Sequence, residues 1–189
     1  MTTTFATVGN SSPDGMIREW EHRLADGSEG EGRYMNAVTV STLTKGIRDD
    51  DGMMNLIVAT LVRPRLTHQQ MVAVYRSDGT DPSVSEFLRD EMRGLFSPNP
   101  GIDYGVVSRA RSDIEALKRL GETDGRTDHR ACMRMSELLA FIAWLTGDDD
   151  ETGRQLRDAA VHDVDGMDDT LSNIVRHARA MGEHPGNEA

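Results

Sequence analysis

Cysteine is nearly missing: Cys132 is the single one in 189 residues, which excludes an internal disulfide framework and fits a reducing compartment. Aromatic residues are scarce. Trp20, Trp144, three tyrosines and four phenylalanines leave Leu, Val, Ile, Ala and eleven methionines to do most of the packing. Methionine also lines adaptable binding surfaces, although filling the core is its commoner use. Basic charge is in short supply, with 21 Lys and Arg against 32 Asp and Glu and a formal net charge of −11. That balance argues against direct nucleic-acid binding, which needs cations to displace counterions from phosphates. No apolar run is longer than Leu138–Leu145, far short of the roughly 20 residues that cross a bilayer. The opening MTTTFATVGNSSPDG lacks the basic start and long apolar stretch of a signal peptide. A cytoplasmic protein with no membrane attachment is the expectation.

Signatures of catalysis are absent too. The chain has no G-x-S-x-G elbow, no G-x-x-x-x-G-K-[ST] loop and no H-E-x-x-H. Its histidines (His22, His68, His129, His162, His177, His184) are dispersed. His129 and Cys132 stand about one helical turn apart, but they are two ligands where a structural zinc needs four. The expectation is a non-enzyme with no metal and no cofactor, and with His129 partly exposed at a helix start.

What is present is helical periodicity. After a flexible start over residues 1–11, Ser12-Pro13 reads as a cap and first-turn proline, followed by Met16, Ile17, Trp20 and Leu24 on one face. DGSEGEG (26–32) reads as a loop. Tyr34 to Leu43 is mixed: AVTVSTL alternates like a strand, while Tyr34, Val38 and Thr42 sit four apart. With no convincing strand partner elsewhere it reads as helix, the strand alternative standing. Met53–Val62 follows an acidic DDDG start and is closed by Pro64; Thr67 opens a short helix to Tyr75. Asp81-Pro82 begins another, with Phe87, Leu88, Met92 and Leu95 inward, and SPNPG (97–101) breaks it. Tyr104–Leu120 places Val106, Val107, Ala110, Ile114, Leu117 and Leu120 inward before a loop at GETDG (121–125).

Thr127–Leu145 is apolar on two faces, the mark of a central helix. GDDDE (147–151) turns into a helix carrying Leu156, Ala159 and Ala160, and DVDGMDD (163–169) turns again. Met167, Leu171, Ile174, Val175, Ala178 and Met181 define a last amphipathic helix, and residues 183–189 read as a disordered tail. The expected fold is mainly α: one helical domain over residues 12–182, a multi-helix bundle ending in an αα-hairpin plus a last amphipathic helix.

The stretch SELLAFIAWLTGDDDETGRQLRDAAVHDVD (136–165) resembles the closing hairpin of domain-of-unknown-function family 4192, found mainly in actinobacteria. Ile47-Arg48-Asp49 before an apolar helix is similar to that family's V-R-D segment, and Trp20-Glu21-His22 fits the same region. The Leu-Gly-Phe segment of the family's β-rich half has no counterpart here. The family carries no assigned activity, so the resemblance implies a helical hairpin and no reaction. Residues 136–165 are also similar to a single tetratricopeptide-like hairpin, with Gly147, Ala159 and Ala160 at the crossing; no second copy is present, and such units need about three stacked repeats for stability.

The acid is concentrated at the end. Gly147–Ala189 holds eleven acids against four arginines. Asp148, Asp149, Asp150, Glu151, Asp163, Asp165, Asp168 and Asp169 form the candidate acidic interaction surface. The turns fail as calcium loops: counting from Asp163, the glycine falls fourth and the twelfth residue is Ile174 rather than a glutamate. Carboxylates at helix starts explain them. Arg126, Arg130 and Arg134, every fourth residue, form a candidate basic stripe, expected to pair with the acidic turns, Asp128 or Glu137. The function expected is that of a non-enzymatic acidic protein acting through protein–protein contacts, led by a methionine-rich or aliphatic patch. The alternative is an acidic inhibitor or nucleic-acid mimic from a mobile element, blocking a DNA- or RNA-binding host complex.

Overall fold

A computed structural model describes residues 12–25, 35–77, 81–97, 100–123, 127–164, 166 and 170–185. Among the described residues there are nine helices and no strands: α1 (Pro13–Leu24), α2 (Ala37–Asp49), α3 (Asp51–Val62), α4 (His68–Arg76), α5 (Pro82–Gly94), α6 (Tyr104–Thr123), α7 (His129–Leu145), α8 (Asp149–His162) and α9 (Thr170–Ala180). The chain is a mainly α multi-helix bundle. No helix is long and apolar enough to cross a membrane.

Most helices start where short polar side chains satisfy the free N–H groups of the first turn. Ser12 accepts from Gly15 N at 3.2 Å, and Thr67 and Gln70 form a reciprocal capping box. The ambiguous AVTVSTL stretch is helix because Asn36 Oδ1 accepts from both Val38 N (2.9 Å) and Thr39 N (3.0 Å). Its inward residues Thr39, Thr42, Leu43, Gly46 and Ile47 follow the helical period, so packing overrides β-branched propensity.

Helix α7 is the axis of the bundle. Every residue from Ala131 to Leu145 is buried, and α6, α8, α9, α2 and α3 all pack on it. Its exit is a tight Schellman turn. Gly147 (φ +71°) donates to Trp144 O at 3.1 Å and Asp148 to Ala143 O at 2.9 Å. Asp148 then caps α8 by accepting from Glu151 N at 3.0 Å, so one residue ends a turn and begins a helix. Residues 136–164 thus carry the C-terminal part of α7, the turn and α8.

Several inward assignments are corrected. Gly121, Glu122 and Thr123 extend α6 rather than opening a loop, and Gly121 lies close enough to α7 that a Cβ there would meet Cys132 Sγ at 3.5 Å. Leu120, Ala160, Ile174 and Met181 are exposed, and Phe87, Leu88 and Met92 are only half-buried, because among the described residues no helix covers their side of α6, α8, α9 or α5. The chain after α9 is held at its start. Glu183 N donates to Ala178 O at 2.9 Å, and the Glu183 carbonyl accepts from Trp144 Nε1 at 2.8 Å. Residues 186–189, like 1–11 and 26–34, lie outside the described residues.

Candidate functional site

The acidic residues of the C-terminal region do not form a bare stripe. Asp148 is spent on its cap, and Asp149 pairs with Arg179 (3.3 Å) with His184 Nε2 at 3.6 Å. Glu151 accepts from Arg154 (2.5 Å) and Gln155 (2.9 Å) and faces Arg111 at 3.7 Å. The Arg154 hydrogen bonds pull the Glu151 carboxyl below its ordinary range; partial burial opposes this and Gln155 assists it. Asp150 is exposed and Asp163 half-buried at the end of α8. Asp165, Asp168 and Asp169 lie outside the described residues.

The arginine stripe is broken as well. Arg126 lies outside the described residues and Arg130 is exposed. Arg134 is buried, donating to Ile47 O at 3.3 Å and ion-paired with Asp51 at the start of α3. Its expected partners go elsewhere: Asp128 takes Arg48 (3.1 Å), and Glu137 is buried beside Ser172.

Exposed apolar side chains are scattered over the described surface, Val38, Tyr104, Val161 and Val164 among them, and two of them, Phe96 and Ile174, share a groove between α5 and α9. Leu88, Met92 and Phe96 form one wall of this groove, Ile174 and Ala178 the other, and Trp144 the floor; its volume is about 990 Å³. The Phe96 ring leans on Trp144, with centroids 5.9 Å apart and planes at 57°. Phe96 and Ile174 are each 42% exposed. Arg89, Arg93 and His177 stand along the groove together with Glu183, and Arg93 is ion-paired with Asp90 at 3.2 Å. Periodicity found the apolar faces of both helices, but it could not show that no other described helix covers them.

A second cluster gathers where α6 and α8 end and α7 begins. Glu122, Cys132 and His162 bring a carboxylate oxygen, the thiol sulfur and a ring nitrogen within 4.8 Å of one another. His129, one turn before Cys132 on α7, places its Nδ1 3.2 Å from Nδ1 of His162. Cys132 is fully buried, His162 half-buried, and Glu122 and His129 exposed. Burial pushes the Cys132 thiol up, and the Glu122 carboxylate adds to that. Behind the cluster, buried Lys118 donates to Gln155 at 3.2 Å and pairs with Asp158. The His129–Cys132 spacing was visible in the sequence; the arrival of Glu122 and His162 from two other helices was not.

Comparison with protein-family models, with curated proteins and with solved structures finds no match to this chain, so the resemblance of residues 136–165 rests on those residues alone.

Proposed function

We propose that the chain works by binding another protein in the groove between α5 and α9, without a reaction of its own. The single observation that carries this reading is an apolar trough, floored by a core tryptophan, that no other part of the described chain covers. Contiguous exposed apolar surface of this kind marks contact sites. The lining runs from Ser85 to Arg93 on α5 and from Asn173 to Ala178 on α9, roughly 8–12 Å at 1.5 Å per residue, the length of about two helical turns. Arg89 and Arg93 select the occupant: an amphipathic helix with an aliphatic or aromatic face and carboxylates along one flank.

The rival reading, a nucleic-acid mimic, loses support because Asp148, Asp149 and Glu151 are engaged within the fold. The test is a photo-crosslinking residue in place of Ile174, with one in place of exposed Val161 on α8 as the control. The Ile174 probe should trap a partner that survives raised salt, and Phe96→Ser should abolish the trapping. Trapping at Val161 instead, lost in moderate salt and on replacing Asp148, Asp149 and Asp150 with Asn, would favour the mimic.

A further inference from the structure

We infer that Glu122, His129, Cys132 and His162 form a binding site for a borderline-soft divalent cation, with Zn²⁺ as the natural fit. Two observations that meet at His162 support this. A tetrahedral zinc with bonds of about 2.0–2.1 Å to nitrogen and 2.3 Å to sulfur sets its ligand atoms roughly 3.3–3.7 Å apart. Glu122, Cys132 and His162 already converge to within 4.8 Å from three different helices. In addition, the two imidazole Nδ1 atoms face each other at 3.2 Å, which is also the spacing two nitrogens adopt across one metal ion. The rings are tilted by 49° with centroids 5.4 Å apart, an edge approach that directs nitrogens rather than faces at the shared space.

Drawing Glu122, Cys132 and His162 to tetrahedral spacing needs shifts on the order of 1 Å, and His129, which lies outside that convergent trio, must swing in to complete the set. Glu122 lies in the last turn of α6 and His162 is the last residue of α8, whereas Cys132 is fixed in the core. Sulfur with two imidazoles and one carboxylate suits zinc, and disfavours magnesium and calcium, which take oxygen sets. With His129 swung in, all four positions would be filled by protein, the pattern of a structural ion rather than of a catalytic one with an open position. Bound metal ties the ends of α6 and α8 to the start of α7. The site is independent of the α5–α9 groove.

Cobalt is the probe, titrated into the reduced, chelator-stripped chain. One equivalent should produce a thiolate-to-cobalt charge-transfer band together with intense visible bands of tetrahedral Co²⁺, and one equivalent of Zn²⁺ should bleach both. Cys132→Ser should remove the charge-transfer band. Because Cys132 is buried, two further variants outside the core keep the test sound: His162→Ala and Glu122→Gln should each weaken binding by at least about tenfold, the least that losing even an outer-layer partner costs a metal site. Far-ultraviolet circular dichroism identical to the parent would show both variants folded. His68, whose Nδ1 lies 3.1 Å from Glu21 with Asp14 also nearby, is the control cluster, and His68→Ala should leave the titration unchanged. No charge-transfer band, binding that survives His162→Ala, or binding lost with His68→Ala would each overturn the assignment.

Discussion

Removing Asp113 should destabilise the fold more than removing any exposed carboxylate. Arg23 of α1 grips it with two hydrogen bonds, Nε to Oδ2 at 2.9 Å and an NH₂ nitrogen to Oδ1 at 2.6 Å, between side chains only 6% and 3% exposed. The hydrogen bonds to Asp113 raise the Arg23 pKa, against the opposing effect of burial, and Glu19 adds a smaller contribution. Asp113→Ala leaves a guanidinium charge in the core without its bidentate carboxylate, at a cost of about 3–5 kcal/mol. Small domains are stable by roughly 5–15 kcal/mol, so this one change takes a large share. Arg23→Lys should also be costly, because an ammonium cannot reproduce the planar fork. The double variant Arg23→Met with Asp113→Leu removes both charges and should lie within about 1–2 kcal/mol of the parent, since apolar replacement of a buried pair is often neutral. Urea unfolding followed by circular dichroism measures all the variants, with constant slopes as the check that one two-state transition is compared. Single losses below about 1 kcal/mol, or a double variant less stable than either single, would refute the reasoning.

Trp144→Ala should cost about 3–5 kcal/mol, as truncating a large core aromatic does, whereas Trp144→Phe should cost about 1 kcal/mol through the lost bond to the Glu183 carbonyl; urea midpoints separate the two. Glu151 has a depressed folded-state pKa, so it contributes stability above its unfolded pKa and loses it as pH falls through the folded one; Glu151→Gln should flatten the acid limb of a midpoint-against-pH curve. Gly52→Ala should destabilise by about 1–3 kcal/mol in thermal melts, because a Cβ there would collide with the Tyr75 backbone carbonyl across the α3–α4 contact.

Helix starts were legible because caps are local. Ser12-Pro13, Asp81-Pro82, Thr67 with Gln70 and the run after Gly147 each announce an N-terminus within four residues, and each begins a helix. The central place of α7 followed from its two apolar faces. The side of a helix that stays uncovered was not legible. Ile174 and Val175 are neighbours of similar hydrophobicity, yet one is exposed and the other fully buried, and only the positions of the other helices decide between them. The charged pairs that matter most were equally hidden, since Arg23 and Asp113 are 90 residues apart and Arg134 and Asp51 are 83 apart. Reading Arg126, Arg130 and Arg134 as one stripe assumed that all three faced the same medium; burial of Arg134 breaks that assumption.

The burial of α7 along its length bears on how its two ends communicate. Cys132 of the histidine cluster and Trp144 beneath the groove are twelve positions apart on this helix, about 18 Å at 1.5 Å per residue. Where such a packed rod keeps one shape with and without ligand, neither site has a second state of it to select. A cation at one end and a protein at the other would stabilise the same folded state, and their effects on unfolding would add. The coupling free energy between the two sites along α7 is then close to zero, and the helix serves as an insulator between them.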